Sequence, residues 1–151
     1  MKRKEFISTL GVGFAAVCTG CLAACGKGGS DGPSGGGGNP PPPPPTGVSF
    51  TADLNNEIKN VGDFKVSGGV ILVRIAASDV VGSFTAVQQA CTHEGTSIGF
   101  NANQNIFICP NHGSQFSTTG AVIQGPSTGG SIQALKKYNI AITGTTLTVT
   151  G

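Results

Sequence analysis

The sequence predicts a small all-β domain, an antiparallel sandwich or barrel, behind an export signal and a tether. Two observations lead there. From Val48 onward, short runs of β-branched and aromatic residues alternate with Gly, Asn, Ser and Asp turns. Helical spacing shows in that region only over residues 53–61, DLNNEIKNV. With 151 residues and one clear break in composition, the chain has room for a single folded domain, residues 48–151.

The first element is an address. MKRKEFISTLGVGFAAVCTGCLAAC opens with Lys2, Arg3 and Lys4 and continues with twenty uncharged residues, Phe6 to Cys25. A basic start, an apolar middle and small residues before a cut site describe a secretory signal, here residues 1–24. LAAC, Leu22 to Cys25, resembles the bacterial lipoprotein box, a resemblance that implies cleavage before Cys25 and lipid on that cysteine. Cys18 and Cys21 match the box less well: Val17 is large before the first, and Cys18 is out of place three residues before the second. An uncleaved membrane anchor is the alternative, since twenty uncharged residues can span a bilayer, but Gly, Ala, Ser and Thr make this stretch weakly apolar. Either reading places the body in the bacterial cell envelope, held at a membrane and facing the periplasm or the exterior. RKEFI, Arg3 to Ile7, also resembles a twin-arginine export signal with lysine in the second arginine position.

A linker, residues 25–47, comes next. Residues 26–39 are eight-fourteenths glycine, and prolines fill 40–45. Nothing apolar is available to offset the entropy of ordering it. The glycine part is expected to be a coil of roughly 20 Å span and the prolines a rod of about 19 Å, a spacer that lets the head swing away from its anchor.

The strands follow in order: 70–76, 84–90, 105–109, 121–123, 138–142 and 146–150. TGTT, 143–146, reads as the hairpin turn between the last two. Residues 53–61 place Leu54, Ile58 and Val61 at helical spacing, so one or two turns of helix are expected there. A core of this size is modest and would gain from a cross-link or a metal. From Val48 to Gly151 there are five bases (Lys59, Lys65, Arg74, Lys136, Lys137) and five acids (Asp53, Glu57, Asp63, Asp79, Glu94). A neutral body without a basic cluster has little to gain from phosphate, which excludes nucleic acid as a partner.

Chemistry concentrates in the cysteines and histidines. Beyond Cys25 the cysteines are Cys91 and Cys109, and an exported domain ordinarily pairs such residues as a disulfide. The only two histidines in the chain argue otherwise, because each follows one of these cysteines: CTH holds Cys91 and His93, and CPNH holds Cys109 and His112. Four potential metal ligands thus come as two matched pairs. Zinc on two Cys and two His is one reading, but zinc fingers usually pair like with like. The interleaved order and spacing resemble the Rieske 2Fe–2S centre, in which two cysteines hold one iron and two histidines the other. The resemblance runs from residue 91 to 126, through HGS (His112 to Ser114) to Gly125-Pro126.

That resemblance implies a Rieske-like sandwich with a cluster-binding subdomain and one 2Fe–2S cluster on Cys91, His93, Cys109 and His112, with Ser114 donating a hydrogen bond to a bridging sulfide. CPNHGSQF is most similar to the Rieske subunits of quinol-oxidising cytochrome complexes. Thr96 and Asn111 stand where those subunits carry a disulfide, Phe116 replaces a tyrosine that bonds a cluster cysteine, and the third loop, GPSTGGS (125–131), lacks their second proline. Quinol docking is therefore not expected to carry over. The chain has no histidine to spare for the mononuclear iron of a Rieske oxygenase. The implied function is a membrane-tethered one-electron carrier, not an enzyme by itself, between a redox-protein donor and acceptor such as a cytochrome. Two alternatives stand beside it: the Rieske subunit of a larger quinol–cytochrome or arsenite-oxidase-like oxidoreductase, and a structural metal module without electron flow.

Overall fold

The computed structural model describes residues 40–151; the signal, Cys25 and the glycine segment lie outside them. Ten strands form three antiparallel sheets. β1 (Ser49–Asp53), β10 (Thr146–Thr150) and β9 (Asn139–Thr143) make the first, in that order. β2 (Phe64–Ser67), β3 (Val70–Arg74) and β4 (Phe84–Gln88) make the second. β5 (Gly99–Asn101), β6 (Ile106–Ile108), β7 (Gln115–Ser117) and β8 (Val122–Gln124) make the third.

The second sheet explains the plan. Every residue of β3 and β4 is buried, so this sheet is covered on both faces. β3 meets this with the apolar run 70–73, while Arg74 of β3 and Thr85 and Gln88 of β4 are buried polar residues that find hydrogen-bond partners. On one face Val70, Leu72, Phe84 and Ala86 pack with Ala52, Leu147 and Val149 of the first sheet. On the other, Ile71, Val73 and Val87 pack with Phe107 and Phe116 of the third sheet, and with Cys91 and Cys109. The cysteines therefore sit on the floor of the second core.

All six strands expected from the sequence are present, most of them trimmed at one or both ends. The hairpin turn is also found, with Thr143 paired to Thr146. Strands β1, β2, β5 and β7 were not expected. β7 is three residues long and lies inside the CPNHGSQF motif.

The helix expected over 53–61 does not form. Glu57 N–H bonds the Asp53 carbonyl at 2.8 Å, a single turn that goes no further. The Asp63 carboxylate takes the Lys59 and Asn60 amides, at 3.0 and 2.7 Å, and so removes the donors a second turn would use. Leu54 and Ile58 still reach the first core, but Val61 is exposed.

A second correction concerns the prolines. They do not stand off as a rod. The Pro45 carbonyl accepts hydrogen bonds from Tyr138 Oη at 2.7 Å and Lys136 Nζ at 3.1 Å. Farther along, Pro42 lies against Gly95, so closely that a Cβ on that glycine would be 2.5 Å from the proline Cδ. Residues 40–45 form a strap on the head's surface, anchored at Pro45 and touching the loop after β4.

Candidate metal centre

Two loops carry the four candidate ligands. One follows β4 and holds Cys91 and His93; the other joins β6 to β7 and holds Cys109 and His112. They are built alike. Cys91 N–H bonds the Thr96 carbonyl at 2.8 Å and Gly95 N–H bonds the Cys91 carbonyl at 2.8 Å. In the second loop Cys109 N–H bonds the Ser114 carbonyl at 2.8 Å and Gly113 N–H bonds the Cys109 carbonyl at 3.0 Å. Each loop thus closes on its own cysteine, and the closure requires a left-handed residue four places on. Gly95 (φ +77°) and Gly113 (φ +71°) supply it without steric cost. A glycine four residues after each cysteine was visible in the sequence and marks the repeat independently of the histidines.

The loops bring their histidines together. The two Nδ1 atoms lie 3.1 Å apart, and the rings meet edge to face at 75°. Both imidazoles are half-buried. Beneath them Cys91 and Cys109 are buried and free, so the disulfide reading is not realised. Burial, above all, raises the Cys91 thiol pKa, and the adjacent Cys109 raises it further; the His93 backbone N–H opposes the rise. Ser114 Oγ also works against it from beside the thiol, yet by distance and angle this buried hydroxyl has no hydrogen-bond partner.

Asn111 and Thr96 are engaged separately. Asn111 Nδ2 donates to Glu94 Oε2 at 3.1 Å, and Thr96 serves through its backbone. Phe116 is fully buried in the core that contains both cysteines. The third loop covers the site from the side. Ser127 N–H bonds the His112 carbonyl at 2.8 Å, Thr92 Oγ1 bonds the Gln133 carbonyl at 2.7 Å, and a Cβ on Gly130 would lie 3.7 Å from His93 Nε2. Glu94, which no pattern in the sequence marks as part of the site, has its Oε2 3.7 Å from His112 Nδ1. His93, Glu94 and His112 offer ligand atoms within 4.8 Å of one another.

A profile of the Rieske [2Fe-2S] domain matches residues 48–139. The chain belongs to this family. The Rieske head is similar to the cytochrome b6-f complex iron-sulfur subunit of Synechococcus elongatus, 36% identical over 72 residues, which cover 45% of this chain and 40% of that subunit. It is also similar to the cytochrome b6-f complex iron-sulfur subunit 2 of a Synechocystis species, 30% identical over 93 residues, covering 54% of this chain and 51% of the relative. The chain thus spans about half or less of these relatives' length. Among solved structures, the ferredoxin of carbazole 1,9a-dioxygenase from Nocardioides aromaticivorans shares the fold, with a TM-score of 0.51 at 24% identity over 70% of this chain and 97% of that one.

The family's cofactor is a 2Fe–2S cluster, and the residues present suit one. Two buried free thiols, two imidazole nitrogens facing each other, and a buried hydroxyl without a partner are a donor set for two irons and a sulfide. Of the described residues, no helix is long and apolar enough to cross a membrane.

Proposed function

We propose that this Rieske protein is a one-electron carrier whose 2Fe–2S cluster is held by Cys91 and Cys109 on one iron and by His93 and His112 on the other. The observation that carries the reading is the 3.1 Å approach of the two histidine Nδ1 atoms above two free, buried cysteines. When bound, the cluster accepts and releases one electron at a time. The chain's own residues do the rest. The second core keeps water from Cys91 and Cys109. Ser114 Oγ, buried and without a protein partner, would donate its hydrogen to a cluster sulfur and so favour the reduced, more negative state. With Nδ1 turned inward, the Nε2 edges of the half-buried rings form the contact a partner can reach, and the third loop borders that contact at Gly130.

The head belongs to a membrane-tethered protein in this reading. Cys25 carries the lipid once residues 1–24 are removed, several acyl chains together give stable anchorage, and residues 25–47 join anchor to head. The partners are a redox-protein donor and acceptor, a cytochrome among them, met on the periplasmic or outer side of the bacterial envelope. A second reading, the iron-sulfur subunit of a larger quinol–cytochrome or arsenite-oxidase-like complex, is favoured by the relatives that are themselves cytochrome b6-f subunits. Recovery of the full-length protein from detergent-solubilised membranes separates the two: a carrier migrates alone, a subunit with a fixed set of partners. The cluster is tested by redox titration of the purified protein followed by electron paramagnetic resonance. An iron-free protein with one bound zinc would refute it.

A further inference from the structure

Among the described residues Glu94 is the carboxylate at the histidine tip, and it is held there. Its Oε2 accepts a hydrogen bond from Asn111 Nδ2 at 3.1 Å, a bond that crosses from the first ligand loop to the second. The same oxygen is 3.7 Å from His112 Nδ1, and the side chain is 31% exposed. A surface glutamate with free rotamers would spend its time in water. This one is tied by a neutral donor that offsets none of its charge.

We propose that Glu94 sets the reduction potential: its carboxylate, pinned by Asn111, places a fixed negative charge beside the histidine-bound iron and lowers the potential. The inference rests on the ligand assignment above. Reduction adds an electron, and a nearby anion opposes it by simple Coulomb repulsion. Partial exposure screens the charge, so a moderate effect is expected and added salt should shrink it.

The test is a redox titration, at low and high salt, of the full-length protein and of Glu94→Gln, Glu94→Ala and Asn111→Ala. Glu94→Gln keeps the size and an acceptor for Asn111 while removing the charge. It should favour the reduced form about tenfold, which is about 59 mV for one electron. Glu94→Ala should match it, and high salt should bring parent and variants together. Asn111→Ala frees the carboxylate and should move the potential part of the way. A shift in Glu94→Ala without one in Glu94→Gln would make the residue a packing element and overturn the proposal. Loss of iron in both Glu94 variants would make the carboxylate a ligand and would overturn it as well. A parent without any paramagnetic signal would refute the ligand assignment itself, whereas equal potentials with intact signals would refute only the role of Glu94.

Discussion

His93 Nδ1 and His112 Nδ1 face each other across 3.1 Å, although 19 residues separate them in the chain. Two imidazole nitrogens have no reason to meet so closely unless they share a proton or a metal. Replacement of His93, His112, Cys91 or Cys109 by alanine should therefore abolish the visible absorption and the paramagnetic signal of the reduced protein. Iron analysis of each variant checks this, and full iron occupancy in any of them would remove that residue from the ligand set.

Ser114 and Phe116 should tune the cluster in opposite directions when changed. Each hydrogen bond to its sulfurs favours the reduced form. A bond to a charged group is worth roughly 1.5–3 kcal/mol in full, and only the difference between oxidation states counts, so about 1 kcal/mol, or some 40 mV, is expected per donor. Ser114→Ala should lower the potential by that amount and Phe116→Tyr raise it. Titration beside the parent decides each; an unchanged Phe116→Tyr would mean that the new hydroxyl does not reach a cysteine.

Gly95 and Gly113 occupy equivalent places in the two loops but differ in surroundings. A Cβ on Gly113 meets nothing within 4 Å, whereas one on Gly95 strikes Pro42. Gly113→Ala should cost only the backbone strain, about 1 kcal/mol. Gly95→Ala should cost more, because the strap must lift as well. Denaturant melts of both variants, with and without residues 40–45, test the contact. The gap should close when the strap is removed, and a gap that persists would place its cause elsewhere.

Stability should fall on the acid side through two exposed carboxyls. The Lys65 ammonium, followed by the Asp53 backbone N–H, holds the Glu57 carboxyl below its ordinary value. Asp63 is lowered chiefly by the Asn60 backbone N–H, with that of Lys59 adding to it. A lowered folded pKa gives stability that is present above the unfolded value, about 4, and is lost as pH falls through the folded one. Lys65→Met should raise the NMR titration midpoint of Glu57, and Glu57→Gln should flatten the acid limb of a stability-versus-pH curve. A midpoint indifferent to Lys65 would show that the pair does not persist in solution.

Anchorage should depend on Cys25 alone among the early cysteines. Cys25→Ala is expected to leave the protein unprocessed or release it from membranes, while Cys18→Ala and Cys21→Ala leave mature mass and location unchanged. Mass spectrometry of the membrane fraction reads the result, and an intact N-terminus there in the parent would support the uncleaved helix.

Family and chemistry could be read from the linear chain. Two Cys-His pairs at their spacing are local patterns, and the loops that bear them close through hydrogen bonds within six residues, so the candidate ligand pairs could be picked out without knowledge of the fold. Strands β3 and β4 were legible for a similar reason, since runs of β-formers bounded by turn residues are local patterns, but that both are covered on two faces shows only in the fold. Other features exist only in the folded chain. β7 could not be seen alone, because three residues become a strand only when β6 supplies the partner carbonyls and amides. The helix over 53–61 was lost to Asp63, a competitor for its amides that no periodicity reveals. Six prolines read as a free rod until Tyr138 and Lys136, more than ninety residues away, bound the Pro45 carbonyl. Glu94 gained its place at the histidine tip only when Asn111 arrived on the other loop. Contacts across such separations depend on how the sheets bring distant segments together, and a linear pattern carries no record of that.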